Sequence, residues 1–228
     1  MEVLQDIPFH VDAAAVLNGL RLPARGERAR EVRRVLKAAQ AVARPKAVYD
    51  LCFIEKKGED TVEFGGATFT SRVLRMNLDG AGRVFPFVAT CGRELADFAA
   101  SLDDLVLSFA LDTVMVRALA AAIGFLRKHI RRRYALGKTA VMNPGSLDDW
   151  PLSEQKPLFS LLGDASKLIG VELNDSFLMV PLKSVSGVIF PTERRFESCQ
   201  LCPREACPNR RAKYDPELWQ QRYRPSPP

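Results

Sequence analysis

Apolar residues in the first half of the chain recur first at helical spacing and then at strand-like spacing. Over residues 28–43 they fall at every third or fourth position until Arg44-Pro45, which predicts a helix that ends there. Glycine-containing turn signals then separate several short apolar runs. These runs predict an antiparallel meander over residues 48–54, 62–64, 68–74 and 84–90.

A long apolar stretch follows over residues 105–126. Residues 101–104 resemble a capping box that would open a helix, and Gly137 is placed to stop it. The apolar stripe is too broad for a surface helix, so we expect the central core helix of the fold. Asp112 and Arg117 interrupt the stretch, which favours a buried helix in a soluble protein over a membrane span.

The last third of the chain predicts one short helix, over residues 153–162, and then further strands at 171–173, 177–180 and 185–190. Strands, a long helix and more strands indicate an α+β fold. We expect one domain over residues 1–196, a cysteine-rich segment over 197–215 and a disordered tail over 216–228, where apolar periodicity is weak and prolines end the chain.

Composition narrows the class of protein. With 228 residues, 47% of them hydrophobic, the chain can bury a sizeable core. Its first residues lack the features of a signal peptide, so a cytoplasmic protein is expected. The net charge of +6 comes from scattered clusters, and aromatic residues make up only 8%. That pattern disfavours nucleic-acid binding and favours an acidic protein partner.

Three clustered cysteines suggest a metal centre. Cys199, Cys202 and Cys207 have a Cys-x2-Cys-x4-Cys spacing, and their thiolates suit an iron–sulfur cluster or zinc. An iron–sulfur cluster held by three cysteines would keep one iron open, whereas zinc would need a fourth ligand. Cys52 or Cys91 could complete either site. Two alternatives stay open: a metal that only orders this segment, and three cysteines with no metal.

Two short motifs and the segments around them carry a resemblance to a known family. One is Asn143-Pro144-Gly145-Ser146, and the other is Ser184-Val185-Ser186-Gly187. Taken alone, they are an ordinary turn and a strand that enters a turn. With the residues around them, and with residues 43–49 and 88–92, they resemble the activation domain of cobalamin-dependent methionine synthase, particularly its stand-alone relatives. The resemblance covers most of residues 8–196.

The resemblance implies a fold and a chemistry. Family members have a curved α+β domain that binds S-adenosylmethionine (AdoMet) and docks on a corrinoid protein. There an external electron reduces inactive cobalamin and AdoMet methylates it. By this likeness Asn143, Pro144, Gly145 and Ser146 form the ligand turn, and Ser184, Val185, Ser186 and Gly187 form the second wall of the pocket.

The chain departs from the family at charged positions. Val141 stands where the family turn has an arginine, Ser146 stands where it has a tyrosine, and residues 120–124 lack the acidic ligand contacts of the family helix. A ligand would then bind through main-chain groups, or with Lys138 or Arg133 in place of the arginine.

Two functions follow from these residues. In the first, the protein reactivates a corrinoid protein, with AdoMet as a possible methyl donor and an iron–sulfur centre at the cysteines as electron relay. In the second, it is a non-catalytic docking module for a corrinoid protein, with a structural metal site and no AdoMet binding.

Overall fold

The computed structural model describes residues 1–224 and contains seven α-helices and ten strands. The helices are α1 Ala13–Gly19, α2 Glu27–Val42, α3 Arg72–Asn77, α4 Arg93–Ala100, α5 Leu105–Arg133, α6 Gln155–Ser160 and α7 Ala165–Ile169. The strands are β1 Glu2–Leu4, β2 Lys46–Tyr49, β3 Cys52–Lys57, β4 Thr61–Phe64, β5 Ala67–Thr70, β6 Arg83–Thr90, β7 Thr139–Met142, β8 Glu172–Leu173, β9 Met179–Val180 and β10 Ser184–Pro191.

Strand β6 is the centre of an eight-stranded antiparallel sheet and is buried along nearly its whole length. On one side it pairs with β2 and β3, and on the other with β10, which in turn pairs with β7. Strand β1 extends the sheet beyond β2, and β3, β4 and β5 form the predicted meander. Strands β8 and β9 make a separate ribbon.

The single strand predicted over residues 48–54 corresponds to two strands, β2 and β3, which pair with β6 in the same register. Lys46 pairs with Thr90 and Cys52 pairs with Val84, so β2 and β3 follow the same line along β6. The break comes at Asp50, whose N–H donates to the carbonyl of Pro86. Because proline has no N–H, the reciprocal hydrogen bond cannot form and the ladder is interrupted.

Helix α5 packs on the sheet as the long central helix, although its ends and its exposure differ from the prediction. Asp104, whose side chain accepts from the N–H of Leu107, caps it in place of the capping box at Ser101. The helix ends at Arg133, and Ala135 takes the left-handed conformation (φ 50°) that was expected of a glycine.

One face of α5 is exposed. Its buried face carries Leu107, Ala110, Leu111, Val114, Ala118, Ala122, Leu126 and Ile130. Leu105 and Phe109 are 70% and 59% exposed, so the stripe is not buried all round. Among residues 1–224, α5 is the one helix long and apolar enough to cross a membrane by length and composition alone. Here it packs against α2, α4 and strands β2 and β6.

Residues 68–74, predicted as a strand, divide into β5 and helix α3. Ser71 caps α3 and accepts from the N–H of Leu74 at 3.0 Å. The carboxylate of Asp149 also accepts from the N–H groups of Arg72 (3.2 Å) and Val73 (3.0 Å). A cap supplied by a residue far along the chain therefore starts a helix in an apolar run with strand-like composition.

The chain after the cysteines returns to the core, in contrast to the disorder expected over residues 216–228. Trp219–Tyr223 form a π-helical turn, and the side chain of Tyr223 is fully buried. Its hydroxyl donates to Asn77 Oδ1 at 3.1 Å, and its carbonyl accepts from Arg72 Nε at 2.6 Å. Residues 225–228 of that prediction lie outside the described part of the chain.

Candidate functional site

The two sequence motifs meet where β7 ends. Because β7 runs antiparallel to β10, with Met142 opposite Val188, the turn after β7 lies beside the first half of β10. Asn143 bridges the two segments, since its Nδ2 donates to the carbonyl of Ser186 at 2.6 Å. Gly187 permits this contact: a Cβ there would lie 2.4 Å from the Met142 carbonyl and 2.5 Å from Asn143 Nδ2.

The turn presents part of its main chain to solvent. Pro144 is buried, whereas Gly145 and Ser146 are exposed. Gly145 has φ +78°, and its N–H donates to the carbonyl of Trp150 at 2.7 Å. Left-handed backbone of this kind favours glycine. Trp150 is fully buried, and its indole Nε1 is the one buried side-chain donor or acceptor without a partner in residues 1–224.

The hydroxyl groups of β10 are buried and bonded within the protein. Ser184 Oγ donates to Thr90 Oγ1 at 2.9 Å, and Ser186 Oγ donates to Gln155 Oε1 at 2.8 Å. Val185 points to the opposite side of the sheet and packs in the apolar cluster under α5. Gln155, from helix α6, was not singled out in the sequence analysis, because its position against β10 follows only from the tertiary fold.

The cationic substitutes expected for the missing arginine lie at the wrong end of β7. Lys138 precedes the strand and lies five residues before Asn143. In extended chain that separation is about 16 Å. Arg133 is engaged elsewhere, with its Nε 3.1 Å from the carboxylate of Glu2. Val141 itself packs among apolar side chains. The main chain and neutral polar groups of the turn are therefore the groups offered to a ligand here.

The cysteine segment is organised around an arginine. Cys199 lies in a 3₁₀ turn, and the N–H of Cys202 donates to the Cys199 carbonyl at 3.4 Å. The guanidinium of Arg210 donates to the carbonyls of Cys199 (3.0 Å) and Cys202 (3.3 Å) and also bonds the carbonyl of Arg204. A cationic side chain thus holds the loop through its main-chain oxygens.

The thiol of Cys199 lies in an environment that favours the thiolate. Burial opposes the charged form, but the N–H groups of Arg211 and Ala212, together with the Arg211 guanidinium, outweigh it and hold the pKa of Cys199 below its ordinary value. The N–H of Arg211 lies 3.5 Å from Cys199 Sγ. Anion stabilisation by main-chain donors requires no metal ion.

The structure does not support the predicted metal centre. Within residues 1–224, no three side chains of the metal-binding types are grouped so that they could hold an ion, and Cys199, Cys202 and Cys207 are free, half-buried thiols. Cys52 and Cys91, considered as a fourth ligand, are buried in other parts of the core, where burial raises the pKa of each to about 11. The residues present do not fit an iron–sulfur cluster or a structural zinc as they are arranged.

Comparison with known proteins identifies the architecture. No protein-family model matches this sequence, and no curated protein matches it. Among solved structures, the chain is similar to the crystal structure of the MetH reactivation domain bound to AdoHcy, with a TM-score of 0.61 and 17% sequence identity. The similarity covers 86% of this chain and 80% of that chain. This chain has the fold of the MetH reactivation domain.

The comparison confirms the predicted fold class: an α+β chain with a curved antiparallel sheet and a long central helix. In this chain β7 and β10 are neighbours, which is why two motifs some forty residues apart form one surface. AdoHcy is the ligand of the MetH domain.

Proposed function

We propose that the protein takes part in the reactivation of a corrinoid protein and binds AdoMet at the turn of residues 143–146. The observation that carries the proposal is the hydrogen bond from Asn143 Nδ2 to the Ser186 carbonyl, which joins the two family-like motifs on this fold. Support comes from the MetH reactivation domain, which has the same fold and was crystallised with AdoHcy.

Two side chains of the turn are suited to contact a ligand. With Nδ2 of Asn143 bonded to Ser186, its Oδ1 is left as an acceptor for an ammonium or amino group. The exposed hydroxyl of Ser146 can donate to a carboxylate. Gly145, with no side chain, lets a ligand approach the main chain closely. AdoMet would supply an activated methyl group, and the task of these residues is to hold that group in position over the cobalt.

The affinity should be lower than in a site with an arginine. A hydrogen bond to a charged group contributes about 1.5–3 kcal/mol. An arginine can donate two such bonds to a carboxylate, whereas the Ser146 hydroxyl donates one, so the loss of one bond weakens binding by roughly ten- to 150-fold. Binding in the micromolar to high-micromolar range is the expected outcome.

The test is equilibrium dialysis of the full chain against labelled AdoMet, with AdoHcy as competitor. Gly145→Ala adds a Cβ 2.8 Å from Leu152 Cδ1 at a left-handed position, so it should weaken AdoMet binding roughly tenfold. Gly66→Ala is the matched control, because Gly66 has φ +74° and open space around it but lies on the β4–β5 turn. AdoMet binding that is absent at millimolar ligand, or equally weakened by both variants, would refute the assignment.

The cysteine segment has no part in this proposal as an electron relay. Its three thiols do not form a metal-binding group in the described chain. The electron that reduces the cobalt would come from another protein, as in the family that the sequence resembles.

A second candidate is a docking module that binds a corrinoid protein without AdoMet. It is favoured by Val141 at the arginine position and by an apolar cleft of about 390 Å³ between α4, α5 and the segment before β10. Leu182 beside this cleft is 75% exposed, and Phe109 on the exposed face of α5 is 59% exposed. Exposed apolar surface of this kind is typical of protein-binding sites.

The two functions are distinguished by measuring how tightly the protein binds a cobalamin-loaded domain of methionine synthase, used as a substitute partner, with and without AdoMet. A docking module should bind it equally well with and without AdoMet. Phe109→Ser should weaken that binding, whereas Phe53→Ser should not, because Phe53 is similarly exposed (65%) but lies on β3. Association that depends on AdoMet would instead favour the first function.

A further inference from the structure

Cys199 and Cys202 occupy the two ends of one tight turn. The hydrogen bond from the N–H of Cys202 to the Cys199 carbonyl, at 3.4 Å, closes a four-residue turn. The Cα atoms at the ends of such a turn lie within about 7 Å. Disulfides need Cα atoms about 4.4–6.8 Å apart, so the backbone already brings the two residues near the required separation. Both thiols are half-buried and reachable from solvent.

The turn is fixed by contacts that involve no metal. Arg210 donates to the carbonyls of both cysteines. Glu197 and Gln200 form a reciprocal capping box around the 3₁₀ turn, and the N–H of Asp215 donates to the Gln200 carbonyl at 2.8 Å. A preorganised turn loses little conformational entropy when its two ends are linked.

The sulfur of Cys199 has a donor of its own. The N–H of Arg211 points to Cys199 Sγ at 3.5 Å, while the Arg211 side chain is paired with Glu197 at 3.3 Å. A main-chain donor directed at sulfur stabilises a thiolate, which is the nucleophile in thiol–disulfide exchange. Cys199 is therefore the attacking residue and Cys202, three positions on, the resolving residue.

We propose that Cys199 and Cys202 form a thiol–disulfide exchange site that reacts with low-molecular-weight disulfides such as oxidised glutathione. The Cys199 thiolate attacks one sulfur of the small disulfide, the S–S bond breaks, and one small thiolate leaves. The Cys202 thiolate then attacks Cys199 Sγ in the mixed disulfide and releases the second small thiolate. The two cysteines lose two electrons and two protons, and the small disulfide is reduced to two thiols.

The same chain contains two cysteines that should stay reduced. Cys91 is fully buried and Cys52 is 8% exposed. Burial raises the pKa of each to about 11, so little thiolate is present near neutral pH. They are internal controls for any oxidation of the turn.

The experiment equilibrates the full chain with mixtures of reduced and oxidised glutathione, followed by acid quenching, alkylation and tryptic peptide mass spectrometry. Cleavage after Arg195, Arg204 and Arg210 puts Cys199 and Cys202 in one peptide and Cys207 in the next. The expected product is an unalkylated 196–204 peptide lighter by two hydrogen atoms, with the cysteine of the 205–210 peptide alkylated.

Variants identify the roles of the three cysteines. Cys199→Ser should lower the rate of oxidised-glutathione consumption roughly tenfold, whereas Cys207→Ser should change it by less than about twofold. Cys202→Ser should stop the reaction at the glutathione adduct of Cys199. A disulfide that joins the 196–204 and 205–210 peptides would overturn the proposal. So would a stoichiometric metal that protects all three thiols from alkylation in anaerobically purified protein. The proposal does not depend on AdoMet or corrinoid binding.

Discussion

Replacement of Tyr223 tests whether the end of the chain is part of the core. The side chain is fully buried, and its ring packs against Phe196 and Trp219 at centroid distances of 6.3 and 6.1 Å. Truncation of a buried aromatic side chain to alanine lowers the free energy of unfolding by about 3–5 kcal/mol. Tyr223→Phe keeps the ring and leaves the buried Oδ1 of Asn77 without its donor, which costs about 1–3 kcal/mol.

The assay is urea unfolding followed by circular dichroism, with thermal unfolding as a second measurement. Tyr214→Ala is the control, since Tyr214 is 39% exposed and its loss should change stability by no more than about 0.5 kcal/mol. The free energy of unfolding should then increase in the order Tyr223→Ala, Tyr223→Phe, wild type. A loss below about 1 kcal/mol for Tyr223→Ala would refute the reasoning, because a residue on a disordered tail contributes no packing to the core.

Three further predictions concern helix ends and the N-terminal strand. Asp149→Ala should lower stability by about 1–2 kcal/mol because its carboxylate caps α3, while Asp148→Ala, at the exposed neighbour, should change it by less than about 0.5 kcal/mol in the same urea assay. Ala135→Gly should raise the free energy of unfolding, since φ is 50° there, whereas Ala120→Gly in the exposed interior of α5 should lower it by about 1 kcal/mol; equal effects would contradict this. The carboxylate of Glu2 is partly buried, which opposes its charge, but Tyr49 and the nearby cations hold its pKa below the ordinary 4.5. Its stabilising contribution is therefore present above pH 4.5 and lost as the pH falls below it, so Glu2→Gln should flatten the acid limb of stability against pH.

Residue patterns predicted those elements whose stability is local. The helix over residues 28–43 and the long helix after residue 104 have apolar stripes at helical spacing, and both are present. Helix α3 was missed because Val73 and Leu74 resemble a strand and the cap that decides the matter comes from Asp149. Strand β1 was missed for the same kind of reason: a three-residue strand depends on its partner β2.

The candidate site was likewise predicted only where its features are local in sequence. The sequence predicted a turn at residues 143–146 and a strand over 185–190, but the bond between Asn143 and Ser186 follows from the pairing of β7 with β10, and β7 was not predicted. The cysteine spacing indicated a compact loop. It could not indicate Arg210, which bonds the carbonyls of that loop and belongs to no metal-site pattern.

The glycines of the two motifs are explained by the backbone before any ligand is considered. Gly187 cannot carry a Cβ because the Met142 carbonyl lies 2.4 Å from where it would be, and Gly145 is held at φ +78°. Both constraints would operate equally in an AdoMet-binding protein and in a docking module with this fold. The residues that distinguish these functions are those with free polar groups, Asn143 and Ser146. The Ser146 hydroxyl is exposed and makes no hydrogen bond within residues 1–224. A loss of AdoMet affinity in Ser146→Ala, with the unfolding midpoint unchanged, would therefore assign the turn to ligand binding.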